Sequence, residues 1–211
     1  MKYKHLPLAG VALSLALFVV AATRYPGGTL QSPNSVGYDW SRNFLSSLFT
    51  PQALNGAPNA ARPFAVVALF VMSLALALLW VRIAATASSR AHKKTIEIAG
   101  IGSAVYGFLV ATPMHDLMVT IGIVFSATAM VALIHMLYIE RRWSLFAMGA
   151  LSLAIVGVTA TMYYGHALYG ALPVIQKLSV ASCTGWLVCV YYARLGVRYI
   201  VPNAHPAIAS E

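Results

Sequence analysis

His115, Asp116 and His166 have side chains suited to acid–base catalysis or metal binding. A histidine oriented by a carboxylate can take the proton of a serine nucleophile, and Ser46 and Ser47 supply such hydroxyls. Histidine nitrogen and carboxylate oxygen are also ordinary zinc ligands. The chain has neither a GxSxG motif nor an HxxxH or HExxH pair. The sequence therefore predicts no defined catalytic set and neither a metal site nor a cofactor.

A second group of polar residues lies in the stretch GYDWSRNFLSSLFTP, residues 37–51. At about 100° per residue, apolar side chains fill one side of a helix here. The other side holds Asp39, Arg42, Asn43, Ser46 and Ser47. Asp39 can cap the first turn, and Pro51 ends the pattern. The stretch therefore predicts a short amphipathic helix of about ten residues.

Two placements of this predicted helix remain open. It can lie flat in the membrane interface, with its apolar face in lipid and its polar face in water. It can instead pack over the end of the protein, with its polar face turned onto other polar residues. A face of Asp, Arg, Asn and Ser suits a hydrogen-bonded cluster better than the Lys- and Arg-rich face of interfacial anchors.

Composition identifies the class of protein that positions these residues. The 211-residue chain is 60% hydrophobic and 9% charged, whereas soluble domains carry about 25% charged residues. An all-α integral membrane protein is predicted, with membrane lipids as its partners. The net charge of +9 does not predict nucleic-acid binding, because the basic residues stand at the ends of apolar segments. Cys183 and Cys189 lie within one apolar run and are predicted to be small buried residues.

A membrane-spanning helix needs about 20 mainly apolar residues. Six segments are predicted to span, within one polytopic domain covering residues 1–211: 6–23, 64–85, 96–111, 117–139, 145–164 and 174–192. The third is the weakest, because Glu97 stands at its start and Pro113 follows its end. The first also resembles a signal peptide, but its apolar run is long and no A-x-A motif ends it.

The distribution of basic residues predicts the orientation. With six spans and the N-terminus inside, the inner side holds ten of the 14 Lys and Arg residues: Lys2, Lys4, Arg82, Arg90, Lys93, Lys94, Arg141, Arg142, Arg194 and Arg198. This bias predicts a multi-pass protein of the inner (plasma) membrane with both termini cytoplasmic. The loop 24–63, the turn 112–116 and the loop 165–177 then share the outer face. The predicted amphipathic helix lies in the first of these loops.

Small residues at intervals of four indicate where helices could approach closely. Ser103 and Gly107 provide this spacing in the third segment, and Gly149 and Gly157 extend it over two turns of the fifth.

The order of these features resembles a known family. A first span is followed by YPGGT, by YDWSRNFLSSL, and then by a bundle with a TP–MHD turn. This order is similar to that of the six-helix prokaryotic membrane proteins of the domain of unknown function 998 family. The positions that match the family's short motifs are Asn43, Ser46 or Ser47, Leu48, Pro113 and His115. The resemblance implies a six-helix membrane fold and no particular reaction.

The prediction for function is an outer polar cluster that binds a small or lipid-like ligand or stabilises the bundle. Its candidate ligand-binding residues are Asp39, Arg42, Asn43, Ser46, Ser47, His115, Asp116, His166 and Lys177. One alternative is a membrane-embedded lipid hydrolase of the outer leaflet. The chain distantly resembles the alkaline-ceramidase and adiponectin-receptor type of membrane hydrolases, although it lacks their C-terminal HxxxH motif. The other alternative is a transporter. The lack of charged residues in the middle of the predicted spans argues against it.

Overall fold

The protein is a bundle of helices. The computed structural model describes residues 3–166 and 168–200, with side chains described as far as residue 195. These residues form α1 (Leu6–Thr23), α2 (Arg62–Ala84), α3 (Arg90–Leu109), α4 (His115–Ile139), α5 (Trp143–Gly165) and α6 (Leu172–Ile200). The same residues contain no strand, only two isolated bridges in the loop before α2. The chain termini, predicted to be cytoplasmic, lie outside the described residues.

Five of these helices, within the part of the chain that is described, are long and apolar enough to cross a membrane. They are α1, α2, α4, α5 and the portion Leu172–Leu195 of α6. The helix that does not qualify is α3, because Arg90, Lys93, Lys94 and Glu97 occupy its first two turns. The exposed apolar side chains of the other helices are what a lipid-facing surface requires.

α2 lies at the centre of the bundle, in contact with α1, α3 and α6. The hydroxyl of Ser14 in α1 donates to the carbonyl oxygen of Ala68 at 2.7 Å, which brings the α1 and α2 backbones close together. The main buried cluster lies between α2, α3, α4 and α6. Its largest members include Leu79, Ile96, Leu133 and Trp186.

α3 runs antiparallel between α2 and α4. Near its start, His92 Nε2 lies 2.9 Å from His135 Nδ1 of α4. Near its end, the rings of Tyr106 and Phe125 stack with their centroids 5.4 Å apart. The two contacts show that α3 follows α4 over most of its length, although its first turns are polar.

The predicted close-approach glycines differ in how tightly they pack against a neighbouring helix. A Cβ added to Gly149 would lie 2.4 Å from the indole of Trp186, so this glycine allows α5 and α6 to meet. At Gly107 and Gly157 a Cβ would meet no described atom within 4 Å. Gly107 nevertheless lies beside α4, because a Cβ on Gly122 would lie 3.9 Å from the Gly107 backbone nitrogen. The prediction was wrong at Gly157, because spacing along a helix does not show which side faces another helix.

The predicted ten-residue amphipathic helix is not observed. Residues 39–43 form a turn, in which the backbone N–H of Asn43 donates to the Asp39 carbonyl at 2.8 Å. Phe44 is extended, with φ −71° and ψ 154°, and a 3₁₀ helix follows at Leu45–Leu48. The predicted polar side is divided as well, since Asn43 is fully buried whereas Arg42 is exposed. Tertiary hydrogen bonds to Asn43 and Leu45, described below, override the helical period here.

Candidate functional site

The long loop between α1 and α2, residues 24–61, is folded over one end of the bundle, and we call it the loop cap. Its hydrogen bonds join segments that are far apart in sequence. The backbone N–H of Gly28 donates to the Ser35 carbonyl at 2.8 Å, and that of Leu54 donates to the hydroxyl of buried Tyr25 at 3.1 Å. The start of α4, the end of α5 and the start of α6 lie at the same end of the bundle.

The two glycines of YPGGT occupy the centre of the loop cap. Gly27 and Gly28 have φ values of +142° and +89°, which residues with a side chain rarely adopt. A Cβ on Gly28 would lie 2.4 Å from the backbone nitrogen of Asn55. The motif therefore lets two segments of the loop lie with their backbones in direct contact.

Asn43 joins the segments of the loop cap from within. Its side chain is fully buried, and its Nδ2 donates to the Gly28 carbonyl at 2.7 Å. Its Oδ1 accepts from the backbone N–H of Asp39 at 2.9 Å. Its own carbonyl oxygen accepts from Lys177 Nζ at 2.6 Å and from the Tyr38 hydroxyl at 3.2 Å. One asparagine thus connects three loop segments and α6.

Two neighbouring residues of α6 bind the loop cap. Lys177 donates to the carbonyls of Asn43 and, at 2.9 Å, of Pro173, and its Nζ lies 5.8 Å from the centre of the Tyr38 ring. Gln176 Oε1 accepts from the backbone N–H of Leu45 at 3.1 Å. Burial raises the pKa of the Tyr38 hydroxyl, so this phenol stays protonated and remains a donor. The side chains of Tyr38, Asn43 and Lys177 are thus each hydrogen-bonded within the protein.

Asp39 and Arg42 form an exposed turn at the edge of that cluster. Asp39 Oδ1 accepts from the hydroxyl of Ser41 at 2.6 Å and from its backbone N–H at 2.8 Å. These hydrogen bonds hold the pKa of the Asp39 carboxyl below its usual value. Arg42 Nε lies 3.8 Å from Asp39 Oδ2, a solvent-exposed pair that adds little stability. The prediction that Asp39 caps the N-terminus of a helix was wrong, because its carboxylate accepts hydrogen bonds within a turn that does not start a helix.

A cleft of about 530 Å³ opens between the loop cap and the turn from α3 to α4, and we call it the loop-side cleft. Its apolar wall includes Phe49, Leu54, Val110 and Ala111. Its polar lining residues include Ser46, Ser47, Arg62, Thr112 and His115. Three of the predicted site residues, the two serines and His115, therefore share one cleft.

Arg62, the first residue of α2, and Asn59, three residues before it, shape this cleft, and neither was predicted to be a site residue. Buried Asn59 donates from Nδ2 to the Ser47 carbonyl at 3.1 Å and to the Thr50 carbonyl at 2.9 Å, which fixes the 3₁₀ helix. Arg62 Nε donates to the Phe49 carbonyl at 3.1 Å, and its guanidinium lines the cleft. The cue in the sequence was Pro63, which directly follows Arg62 and marks the expected N-terminus of a helix just after Asn59.

His115 is the one lining residue with a buried nitrogen that lacks a partner among the described residues. Its Nδ1 lies 3.0 Å from Asp116 Oδ1, which also accepts from the Tyr163 hydroxyl at 2.5 Å. The other nitrogen, Nε2, is buried without a hydrogen bond. Leaving a buried polar atom unpaired costs about 1–3 kcal/mol. A ligand group that paired with Nε2 would recover part of that energy.

His166 lies apart from these groups. It ends α5 in the left-handed conformation, with φ 52°, and its ring packs 6.1 Å from that of Tyr169. Asp116 is next to His115, but its side chain is 84% exposed. Within residues 3–166 and 168–200, no three His, Cys, Asp or Glu side chains are placed so that they could hold a metal ion. Among the described residues, His115, Asp116 and His166 therefore do not converge on one point that could hold a metal ion.

Replacing Asn43 tests whether its hydrogen bonds hold the loop cap together. We expect Asn43→Ala to lower the free energy of unfolding by about 1–3 kcal/mol, because it leaves the Gly28 carbonyl and the Asp39 N–H without their partner. Asn34→Ala, at an exposed position of the same loop, is the matched control and should change stability little. Thermal unfolding of the purified proteins in one detergent measures both. Equal melting temperatures would contradict the role given to Asn43.

Comparison with protein-family models, with curated proteins and with solved structures found no match to this chain.

Proposed function

We propose that this chain is a membrane protein that binds a small or lipid-like amphiphile in the loop-side cleft. The observation that carries the proposal is that one cleft has an apolar wall, the charged side chain of Arg62 and the Nε2 of His115, which has no hydrogen-bond partner among the described residues. Ligand pockets are mainly apolar, with a few polar groups that fix orientation. The cluster around Asn43 and Lys177 supports the cleft but has its polar groups already paired.

The lining favours a ligand with an acidic head and an apolar body. Arg62 is the charged residue of the lining, and a guanidinium binds carboxylate or phosphate oxygens strongly. Ser46 and Ser47 add hydroxyls that can donate to the same head group, whereas the Thr112 hydroxyl already donates to the Leu109 carbonyl at 2.7 Å. Phe49, Val110 and Ala111 offer contact to a hydrocarbon chain. Because the cleft lies at the ends of α2, α3 and α4, such a ligand could enter from the membrane edge.

Native mass spectrometry of the purified protein tests this proposal, because it shows which amphiphiles co-purify. We expect an acidic amphiphile on the native protein and about tenfold weaker retention in Arg62→Gln, since a charged hydrogen bond is worth about 1.5–3 kcal/mol. Arg24→Gln removes the same charge from an exposed residue that does not line the cleft, and should retain the amphiphile. His115→Gln gives a second variant in case Arg62→Gln unfolds. Equal retention in all four proteins would contradict the proposal.

We further propose six spans, with the loop cap outside the inner (plasma) membrane and both termini in the cytoplasm. The contacts that α3 makes with α2 and α4 along its length support a sixth crossing, because a polar first turn can reach the membrane surface while the remainder is covered by neighbours. The excess of Lys and Arg at the opposite end supports the orientation. Membership of the domain of unknown function 998 family stays a prediction.

Single cysteines in a Cys183→Ala, Cys189→Ala background test the topology. With a membrane-impermeant maleimide on intact cells, we expect labelling of Asn34→Cys in the loop cap and of Met114→Cys between α3 and α4. Ser89→Cys, before α3, should react only after permeabilisation. All three native residues are exposed, so protection would come from the membrane. Labelling of Asn34→Cys together with protection of Met114→Cys would show that α3 does not cross.

Hydrolysis of a lipid ester is a second candidate, favoured by the hydrogen bonds around His115. The Tyr163 hydroxyl and His115 Nδ1 both contact Asp116 Oδ1, which leaves Nε2 as the available base. A serine Oγ of the cleft would attack the ester carbonyl, and Nε2 would take its proton and return it to the leaving alcohol. Water would then release the acyl group. Neither serine hydroxyl is hydrogen-bonded to Nε2, so binding is the better supported function.

A fluorophosphonate probe separates hydrolysis from binding alone. If the hydrolase hypothesis holds, intact-mass analysis should show one adduct on the native protein, located at Ser46 or Ser47. The adduct should be lost in His115→Gln and retained in Thr112→Ala, which changes another hydroxyl of the lining. An unmodified native protein would exclude a serine nucleophile while leaving ligand binding untouched.

A further inference from the structure

A second pocket, of about 450 Å³, lies at the end of the bundle opposite the loop cap. It forms where α2 ends, where α4 turns into α5, and along α6 near residue 194. Its apolar lining includes Leu137, Leu145 and Ala193. Its polar lining residues are Thr86, Ser88, Glu140, Arg142 and Arg194. We call it the basic-end pocket.

Arg194 is the most buried charged side chain of this pocket, with 13% of its surface exposed. One terminal nitrogen pairs with the Glu140 carboxylate, and the other donates to Thr86 Oγ1 at 2.9 Å. The Thr86 hydroxyl donates in turn to the Ile83 carbonyl at 2.6 Å. Arg194 Nε, however, is buried with no hydrogen-bond partner among the described residues. A donor on a buried cation is therefore still available.

Arg142 is held at this pocket by an unusual helix end. After α4, the N–H of Arg142 donates to the Leu137 carbonyl at 2.9 Å and that of Arg141 to the Tyr138 carbonyl at 3.0 Å. This pattern normally has glycine at the left-handed position, where the chain has Arg141 with φ 55°. The guanidinium of Arg142 is exposed and donates no hydrogen bond to any described residue. A tight turn thus places Arg142, a cation without a hydrogen-bond partner among the described residues, at the same pocket as Arg194.

We propose that the basic-end pocket binds a phosphate-type anion. An Arg fork, the free Nε–H of Arg194 and the hydroxyl of Ser88 are the donors that phosphate oxygens accept from. The pair of Arg194 with Glu140 leaves Arg142 as the net positive charge of the lining. A volume of about 450 Å³ holds more than a bare phosphate, so an attached alcohol or glycerol group also fits against the apolar lining. A phospholipid head group and a soluble phosphate share this chemistry.

A purely structural role for the Arg194–Glu140 pair would explain fewer features of this pocket than anion binding does. The Arg194–Glu140 pair alone could fasten α6 to α4. It would not account for the unpaired Nε of Arg194 or for the strained turn that places Arg142 beside it. Both features point to a group that is negatively charged and accepts several hydrogen bonds. The site is separate from the loop-side cleft, so the two proposals can fail independently.

Two arms of one experiment distinguish the sources of the anion, and both use the full chain. The first measures the affinity of detergent-purified protein for inorganic phosphate by thermal shift over a concentration series. The second measures retention of phosphatidylglycerol against phosphatidylcholine by native mass spectrometry. Arg142→Gln should weaken the binding of the relevant anion about tenfold, the loss expected for a charged hydrogen-bonded pair. Arg90→Gln, which removes the same charge at the same end but outside the pocket, is the matched control.

Weaker phosphate binding by Arg142→Gln than by Arg90→Gln would support a soluble anion as the ligand. A difference confined to phosphatidylglycerol would support a lipid head group. No difference between the two variants in either arm would overturn the proposal. Glu140→Gln provides a further check: it removes a repulsive carboxylate, so anion binding should strengthen even though the Arg194 pair is lost. A merely structural pair would give lower stability with no gain in anion binding, which would also overturn it.

Discussion

The structure of the loop cap depends on the hydrogen bonds that Asn43 makes to buried backbone groups. A loop of nearly 40 residues lying on helix ends has many N–H and C=O groups that water cannot reach, and each must find a partner. Asn43 satisfies the Gly28 carbonyl and the Asp39 N–H with one carboxamide, and offers its own carbonyl to Lys177. The glycines of YPGGT make this possible because they let the backbone approach that closely. The position of the 3₁₀ helix, and hence of Ser46 and Ser47, follows from these contacts.

This arrangement divides the polar residues of that end into two groups with different roles. Asp39, Asn43 and Lys177 form hydrogen bonds within the protein that hold the loop segments together, whereas the side chain of Arg42 forms an exposed pair with Asp39. Ser46, Ser47 and His115 line the loop-side cleft, where hydrogen-bonding capacity remains unused. A polar residue in an apolar chain is therefore not by itself evidence of a binding site. What distinguishes the second group is the presence of unpaired atoms next to open volume.

Much of the fold could be predicted because it depends on local apolar composition. The predicted first segment coincides with α1, and each of the others overlaps a helix. The helix predicted from Asp39 onward was wrong because helical periodicity depends only on neighbouring residues. It does not reveal hydrogen-bond partners that are distant in sequence, such as Gly28 and Gln176. The difference between Gly149 and Gly157 likewise depends on the position of Trp186 in another helix.

The candidate site was predictable only in part, for a related reason. Side chains near helix ends on one face of a membrane protein are brought to one region by topology, which is why Ser46, Ser47 and His115 could be grouped. Which of them share a cleft depends on the path of the loop, which their spacing does not encode. Arg62 and Asn59 were not selected because an arginine and an asparagine beside a helix start resemble ordinary capping and orientation residues. His166 was selected for its type, and it faces Tyr169 instead.

The central position of α2 has a consequence for how the two ends of the protein relate. Arg62, which lines the loop-side cleft, is the first residue of this 23-residue helix, and Thr86, which lines the basic-end pocket, follows its last turn. At 1.5 Å per residue the helix separates the two pockets by about 35 Å. Because one continuous helix borders both pockets, an axial shift of α2 would alter both of them. If occupancy of either pocket shifts α2, thermodynamic linkage requires that each ligand change the affinity for the other by the same factor.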